Sequence, residues 1–229
     1  MDSNQHLEDA SSDMPPKPGL VFIVGRARSG TTLLQLMLDA HPEVSVPPEC
    51  GFIMNLMNKY GKNDGRAVDP KTFVRDVWLE ERIKSWEISR ESLVRRIEKL
   101  PTGASFEDLS LAVYEEYAAM KGKTGVRFHC DNNHHYSLFV DVLARRFPTA
   151  RFIHLVRDYH ANVLSHQKVE FESNNPVTLA HRWLTYHRRI RTSQLSRSER
   201  MLLLRYEDFV AEPRTLLMRL CGFLGINFE

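Results

Sequence analysis

Three short runs along the chain are continuously or almost continuously apolar: LVFIV at Leu20–Val24, RFIHLV at Arg151–Val156 and MLLLR at Met201–Arg205. They are too short for typical helices and end at a turn or a charged residue, the pattern of buried strands. Val44–Val46 and Val126–Cys130 are shorter or more polar strand candidates. Between them the apolar positions change to helical spacing. After Thr31, residues Leu33, Leu34, Met37 and Leu38 fall on one face. Helices are also predicted over Pro70–Glu81, over Ser89–Leu100 with Ser89 as N-cap, and over Ser105–Met120. In the last, Ser105 and Asp108 form a capping box, Gly122 supplies the stop, and Leu109, Val113 and Tyr117 share a face. Ser137–Arg146, a segment from about His160, Val177–Gln194 and Pro213–Leu224 complete the helical set. Strands alternating with helices predict an α/β fold, three-layered, with a mostly parallel central sheet and right-handed crossovers. The long helical stretch 51–125 interrupts that alternation and is expected to form a cap within one domain spanning 19–229.

Composition narrows the picture only a little. At 229 residues and 42% hydrophobic content, the chain suits a single domain with a substantial core. A net charge of +2 gives no argument for nucleic acid or a membrane surface. The three cysteines, Cys50, Cys130 and Cys221, are scattered and form no CxxC pair, so a reducing compartment is the easier reading. No apolar run approaches the ~20 residues of a membrane span. Residues 1–18 are polar, acidic and proline-bearing, without the apolar middle of a signal peptide, and read as a disordered leader. A soluble, cytoplasmic protein is the expectation.

The chemistry concentrates after the first strand. Gly25, Arg26, Ala27, Arg28, Ser29 and Gly30 form a glycine-bounded turn leading into the helix at Thr31. Strand, glycine turn and helix make an anion cradle of the P-loop type, with backbone N–H groups and the helix N-terminus converging. Threonine follows Gly30 where a triphosphate loop carries lysine. The cation comes earlier, as Arg28, and two hydroxyls, Thr31 and Thr32, come later, a set suited to an anion held without a metal. A tight strand–helix turn would show the same glycines. Downstream, Arg157 follows a strand and Ser165 lies two helical turns on, so both can reach one phosphate. Taken alone, Arg157 with Asp158 reads more plainly as a local salt bridge with Asp158 capping a helix. Glu49 follows the stop at Pro47–Pro48 and is placed to face the cradle, although alone it reads as a solvated loop carboxylate.

Together these stretches resemble the sulfotransferases that use 3′-phosphoadenosine 5′-phosphosulfate (PAPS), especially the branch of bacterial and protein-tyrosine sulfotransferases. GRARSGTTLLQLMLDAHPEV is similar to that family's 5′-phosphosulfate loop, FIHLVRDYHANVLSH to its 3′-phosphate motif, and LLLRYEDFVAEPRTLLMRLCGFLGI to its late strand–helix segment. The resemblance implies that Arg28, Ser29, Gly30, Thr31 and Thr32 hold the 5′-phosphosulfate and that Arg157 and Ser165 hold the 3′-phosphate. It implies that Tyr206 contacts the nucleotide, that Glu49 is the general base, and that Arg28 acts where the bridging oxygen gains charge. No metal is expected, and the acceptor, a hydroxyl or amine, is not legible.

Two departures from the family stand out. Asp131–His134 occupies the place of a DKTP-like pattern, so Asn132 replaces the lysine, with Arg127 or a protonated His134 as candidate substitutes. The chain also stops at Glu229, where relatives continue with a loop and helix. A compact form, a more open site and completion by a partner are all compatible with that, and a homodimer is among the options. Adjacent His134 and His135 are expected to point apart, His154 to be buried and His41 to meet a helix dipole, so a metal site is disfavoured. The basic run Arg182–Arg191 is expected to be mostly a solvated helix face. Two rival functions remain: a P-loop kinase-like phosphotransferase and a non-catalytic nucleotide-binding module.

Overall fold

A computed structural model describes residues 17–62, 65–170 and 172–229. Of the leader expected over 1–18, residues 1–16 lie outside the described residues, and Lys17 makes an ion pair with Asp108. Five strands form one sheet: β1 (Gly19–Val24), β2 (Val44–Ser45), β3 (Phe128–Asn132), β4 (Arg151–Val156) and β5 (Met201–Arg205). Their spatial order is β2-β3-β1-β4-β5, and every pairing is parallel. All five carboxyl ends therefore meet at one edge. From β1 the chain crosses toward β2 on one side, and from β4 toward β5 on the other, so a crevice opens at that edge between β1 and β4.

Side chains alternate across β1 and feed two cores. Leu20, Phe22 and Val24 face one layer, and Val21 and Ile23 face the other. The second layer is built by α1 (Thr31–Asp39) and α10 (Pro213–Leu224), which bury Leu34, Leu38, Leu216 and Leu220. The first is built by the cap, α2 (Phe52–Tyr60), α3 (Pro70–Val77), α4 (Arg90–Glu98) and α5 (Phe106–Met120), with α6 (Val140–Arg146). Phe22 sits at its centre, with ring centroids 5.3 Å from Phe147 and Phe152 and 5.6 Å from Tyr136. The remaining helices are α7 (Tyr159–His166), α8 (Pro176–Thr192) and α9 (Tyr206–Ala211).

The strands at Arg151–Val156 and Met201–Arg205 and the Ser105–Asp108 capping box form as predicted. Several boundaries move. The helix expected over Pro70–Glu81 ends at Val77, and Glu80 then caps a 3₁₀ turn, Glu81–Trp86, through the N–H of Arg82. The helix expected from Ser137 starts as a 3₁₀ turn, His134–Phe139, and becomes α-helical only at Val140. Arg182–Arg191 is mostly a solvated face as expected, with Arg182, Arg188, Arg189 and Arg191 exposed, while Tyr186, His187 and Ile190 form the stripe along which α8 packs inward. His154 is buried as expected, 2.8 Å from the His187 ring.

Candidate active site

The turn after β1 is held by its carbonyl groups. Ser137 Oγ accepts from the Gly25 N–H at 2.8 Å and lies 2.9 Å from the Gly25 carbonyl. Asn162 Nδ2 donates to the Ala27 carbonyl at 2.9 Å, and His166 Nε2 lies 3.0 Å from the same oxygen. Arg157 Nη1 donates to the Arg28 carbonyl at 3.0 Å. With those oxygens drawn back, the opposite side of the turn is left to N–H groups. The first N–H groups of α1 have no intrahelical acceptor, and no side chain caps them at Gly30. Gly30 has φ 91° and Arg28 has φ 64°, an uncommon conformation for a residue with a side chain. Strained backbone of this kind is concentrated at ligand-holding loops.

The arginines of this edge divide by partner. Arg26 is buried, pairs with Glu172 and lies 4.9 Å from the Tyr186 ring centroid. Arg182 also pairs with Glu172, at 2.6 Å. Burial pushes the Glu172 carboxyl up, but hydrogen bonds from Arg182 and Arg26 hold it below its ordinary value. By contrast, among the described residues neither Arg28 nor Arg157 has a carboxylate partner. Arg28 Nε donates to Ser165 Oγ at 3.2 Å, and the Arg157 guanidinium lies 4.5 Å from the centroid of the Tyr206 ring. Arg157 Nε is buried without a partner. Among the described residues the local salt bridge to Asp158 does not form, whereas Asp158 caps α7 as expected, accepting from Ala161 N at 3.0 Å.

Arg28, Arg157, Ser165 and Tyr206 therefore come together in space. Tyr206 also closes over Gly30, where an added Cβ would stand 2.3 Å from the ring. Ser29 is fully buried, its hydroxyl accepting from Asn162 at 3.2 Å, so that side chain braces the loop from beneath. On the other side of Arg28 a cleft of about 830 Å³ opens, lined in part by Thr31, Thr32, Glu49, Arg82, Asn132 and His134. Arg28 belongs to both halves.

Glu49 faces that cleft. Its carboxylate pairs with Arg82 at 2.6 Å and lies 3.8 Å from His134 Nδ1. Burial pushes its carboxyl up, but His134 and Arg82 outweigh that and hold it below the ordinary carboxylate range. Asn132 donates to Gln35 Oε1 at 2.8 Å. Arg127 precedes β3 at the opposite edge of the sheet and pairs with Glu43 at 3.4 Å, so it is not a substitute for the lysine. His134 and His135 do not point apart. The 3₁₀ turn brings their ring centroids within 4.0 Å, and both line the cleft. His41 follows α1 and bonds the Asn227 carbonyl at 2.8 Å. No group of three or more metal-ligating side chains occurs among the described residues. Sequence reasoning missed Arg82, Glu172 and Tyr186, which arrive from the cap and from the segment around α8. Gln35 was within reach of it, one turn beyond Thr31 and Thr32 on the same helix.

A family model described as the sulfotransferase family matches residues 18–229. The chain belongs to that family. Protein-tyrosine sulfotransferase 2 of Gallus gallus is 28% identical over 243 residues, covering 100% of this chain and 56% of the relative. The nodulation protein NoeE of Sinorhizobium fredii is 29% identical over 151 residues, covering 66% of this chain and 32% of the relative. The chain thus spans between about a third and just over half of the length of these curated relatives. Among solved structures, the sulfotransferase domain of the curacin biosynthetic pathway aligns with a TM-score of 0.58 and 25% identity, over 93% of this chain and 75% of that one. The sulfotransferase domain of the Synechococcus PCC 7002 olefin synthase aligns with a TM-score of 0.60 at 24% identity, over 94% of this chain and 77% of that one, and supports the fold alone. For this member of the family the P-loop-type, parallel, helix-flanked architecture is that of its relatives.

Proposed function

We propose that this chain transfers a sulfuryl group from PAPS to a hydroxyl or amine acceptor. The observation that carries the reading is the pair of arginines without carboxylate partners among the described residues, Arg28 and Arg157, bound to each other through the Arg28 carbonyl at the crevice edge. Two uncompensated guanidinium groups beside a helix N-terminus favour a ligand with two anionic ends. The residues fit such a nucleotide: the loop and Arg28 for its 5′ side, Arg157 and Ser165 for its 3′-phosphate, and Tyr206 as the wall between Gly30 and Arg157. Bound there, the donor would supply an activated sulfuryl group.

The chain's own residues supply the rest. Glu49, held ionised below the ordinary carboxylate range, takes the acceptor's proton, with its charge shared by Arg82. Arg28, without a carboxylate partner among the described residues and bordering the cleft, is the cation left to meet negative charge as it develops. Asn132 carries no charge and its amide is engaged by Gln35, so the cations lining the cleft are arginines, with His134 and His135 beside them. The cap, 51–125, contributes Arg82, which supports a role for it in acceptor choice. No described helix is long and apolar enough to cross a membrane. Three buried, unpaired thiols support a cytoplasmic, reducing setting.

The reading is tested with labelled donor against a panel of phenols, sugars, lipids and peptides, alongside calorimetric binding of the bisphosphate nucleotide. Glu49→Gln is expected to keep nucleotide affinity and to slow transfer by about 100-fold or more. Unchanged turnover removes Glu49 from the base role. Tight nucleotide binding with no transfer to any acceptor favours a binding module instead.

A further inference from the structure

Below the Glu49 turn lies a buried carboxylate that the mechanism above does not use. Asp131, on β3, is 3% exposed and accepts from two phenols, the Tyr114 hydroxyl and the Tyr136 hydroxyl, the latter at 2.9 Å. Tyr136 Oη also lies 3.3 Å from the Cys50 carbonyl, which Asn133 Nδ2 approaches at 3.4 Å. On the other side of Glu49, Trp86 Nε1 donates to the Pro48 carbonyl at 2.8 Å. The carbonyls of both residues flanking Glu49 are thus held by side chains, one of them through a residue bonded to Asp131.

A tyrosine hydroxyl has one proton, and Tyr136 faces two acceptors. When Asp131 is ionised, its carboxylate accepts hydrogen bonds from the Tyr114 and Tyr136 hydroxyls, and the Cys50 carbonyl is left to Asn133. When Asp131 gains a proton from solvent on Oδ2, its own O–H donates to Tyr136 Oη, and the Tyr136 hydroxyl turns to donate to the Cys50 carbonyl. We propose that Asp131 is a positioning residue for Glu49: its protonation decides, through Tyr136, whether the turn carrying the base is tethered at Cys50. The inference rests on Glu49 being the base.

Complete burial pushes the Asp131 carboxyl up to about 7, against the lowering effect of the two phenol hydrogen bonds, and the Glu49 charge pushes in the same direction as burial. Facing Asp131 are Tyr114 of α5, Tyr136 of the 3₁₀ turn, and Glu49 and Cys50 of the segment after β2; Cys130 flanks it on its own strand. Of these groups only Glu49 carries charge at neutral pH, and no cation stands among them to hold Asp131 ionised.

Carbonyl labelling tests this without donor or acceptor. The chain has three cysteines, so 1-¹³C-cysteine gives three carbonyl resonances, assigned with Cys221→Ser and Cys50→Ser. The Cys130 carbonyl belongs to the peptide bond preceding Asp131 and reports its ionisation directly. In the unmodified chain both the Cys130 and the Cys50 carbonyl resonances are expected to titrate with a common midpoint near pH 7. In Tyr136→Phe the Cys130 resonance keeps titrating and the Cys50 resonance stops; in Asp131→Asn neither titrates. A Cys50 resonance that titrates unchanged in Tyr136→Phe, or a Cys130 resonance flat across this range in the unmodified chain, overturns the proposal. In the transfer assay Tyr136→Phe is expected to lower kcat about tenfold, with the donor KM and bisphosphate affinity unchanged. Loss of nucleotide affinity together with kcat would mark a merely structural role and overturn it. Absence of transfer in the unmodified chain counts against the sulfuryl-transfer reading and leaves the carbonyl result standing.

Discussion

Arg157→Ala is expected to weaken binding of the bisphosphate nucleotide by about 10- to 150-fold, roughly 1.5–3 kcal/mol, the range for hydrogen bonds from a charged donor. The side chain does two things. It presents a guanidinium with no carboxylate partner at the carboxyl end of β4, and it donates to the Arg28 carbonyl at 3.0 Å, holding the turn in the shape that exposes its N–H groups. Removing it deletes a phosphate contact and frees the strained Arg28 backbone at the same time. Arg157→Lys separates the two effects. Lysine keeps the charge but loses the planar fork and the face against Tyr206, so partial recovery is expected rather than full affinity. Isothermal calorimetry at physiological salt measures both, with thermal melting of the unliganded variants as the fold control. Equal affinities for the three proteins would take the nucleotide away from this edge. The unliganded variants should lose only about 1–2 kcal/mol of stability, the hydrogen bond to the Arg28 carbonyl and the contact with the Tyr206 ring, because Arg157 makes no ion pair among the described residues for the fold to lose.

The parts of this site that were legible in the sequence are those encoded by neighbours along the chain. The glycine turn between an apolar run and a helix, and the arginine following RFIHLV, are local patterns, and the backbone geometry that they dictate brings Arg28 and Arg157 to one sheet edge. Ser105 with Asp108 was legible for the same reason, since a capping box closes within four residues. The α2 and α9 segments were less so. Tyr206–Ala211 is a six-residue helix that begins directly at the end of β5, and nothing in YEDFVA separates it from a loop except the burial of Phe209 by the core. His134 and His135 were read with strand or helix geometry, and a 3₁₀ turn changed the direction of both. Arg82 and Glu172 could not be read at all. Their roles depend on pairings across 33 residues to Glu49 and 146 residues to Arg26, and a solvated charge and a buried clamp look alike until the chain has folded.

Gly25→Ala should strike the fold, where Gly30→Ala should strike the site. Gly25 has φ 149°, and a Cβ there would stand 2.2 Å from the carbonyl oxygen of Leu155. That oxygen belongs to the backbone of β4, whose residues pair with β1 up to Val24 opposite His154, so no side-chain rotation relieves the clash. The two central strands must separate at the end that carries the cradle. Strain and overpacking together are expected to cost about 3–5 kcal/mol, which in a chain of this size lowers Tm by roughly 10 °C. At Gly30 the added Cβ would instead meet the Tyr206 ring at 2.3 Å, and φ 91° adds backbone strain. A ring at the start of a short helix can swing away, so the stability loss should be smaller. That swing removes the aromatic face from Arg157 and opens the wall of the nucleotide site. Urea unfolding and calorimetry on the two variants should therefore rank them in opposite orders: Gly25→Ala worse in stability, and Gly30→Ala worse in nucleotide affinity relative to its remaining stability. If Gly25→Ala unfolds within about 0.5 kcal/mol of the unmodified chain, the close approach of the turn to β4 is not what holds the cradle in shape.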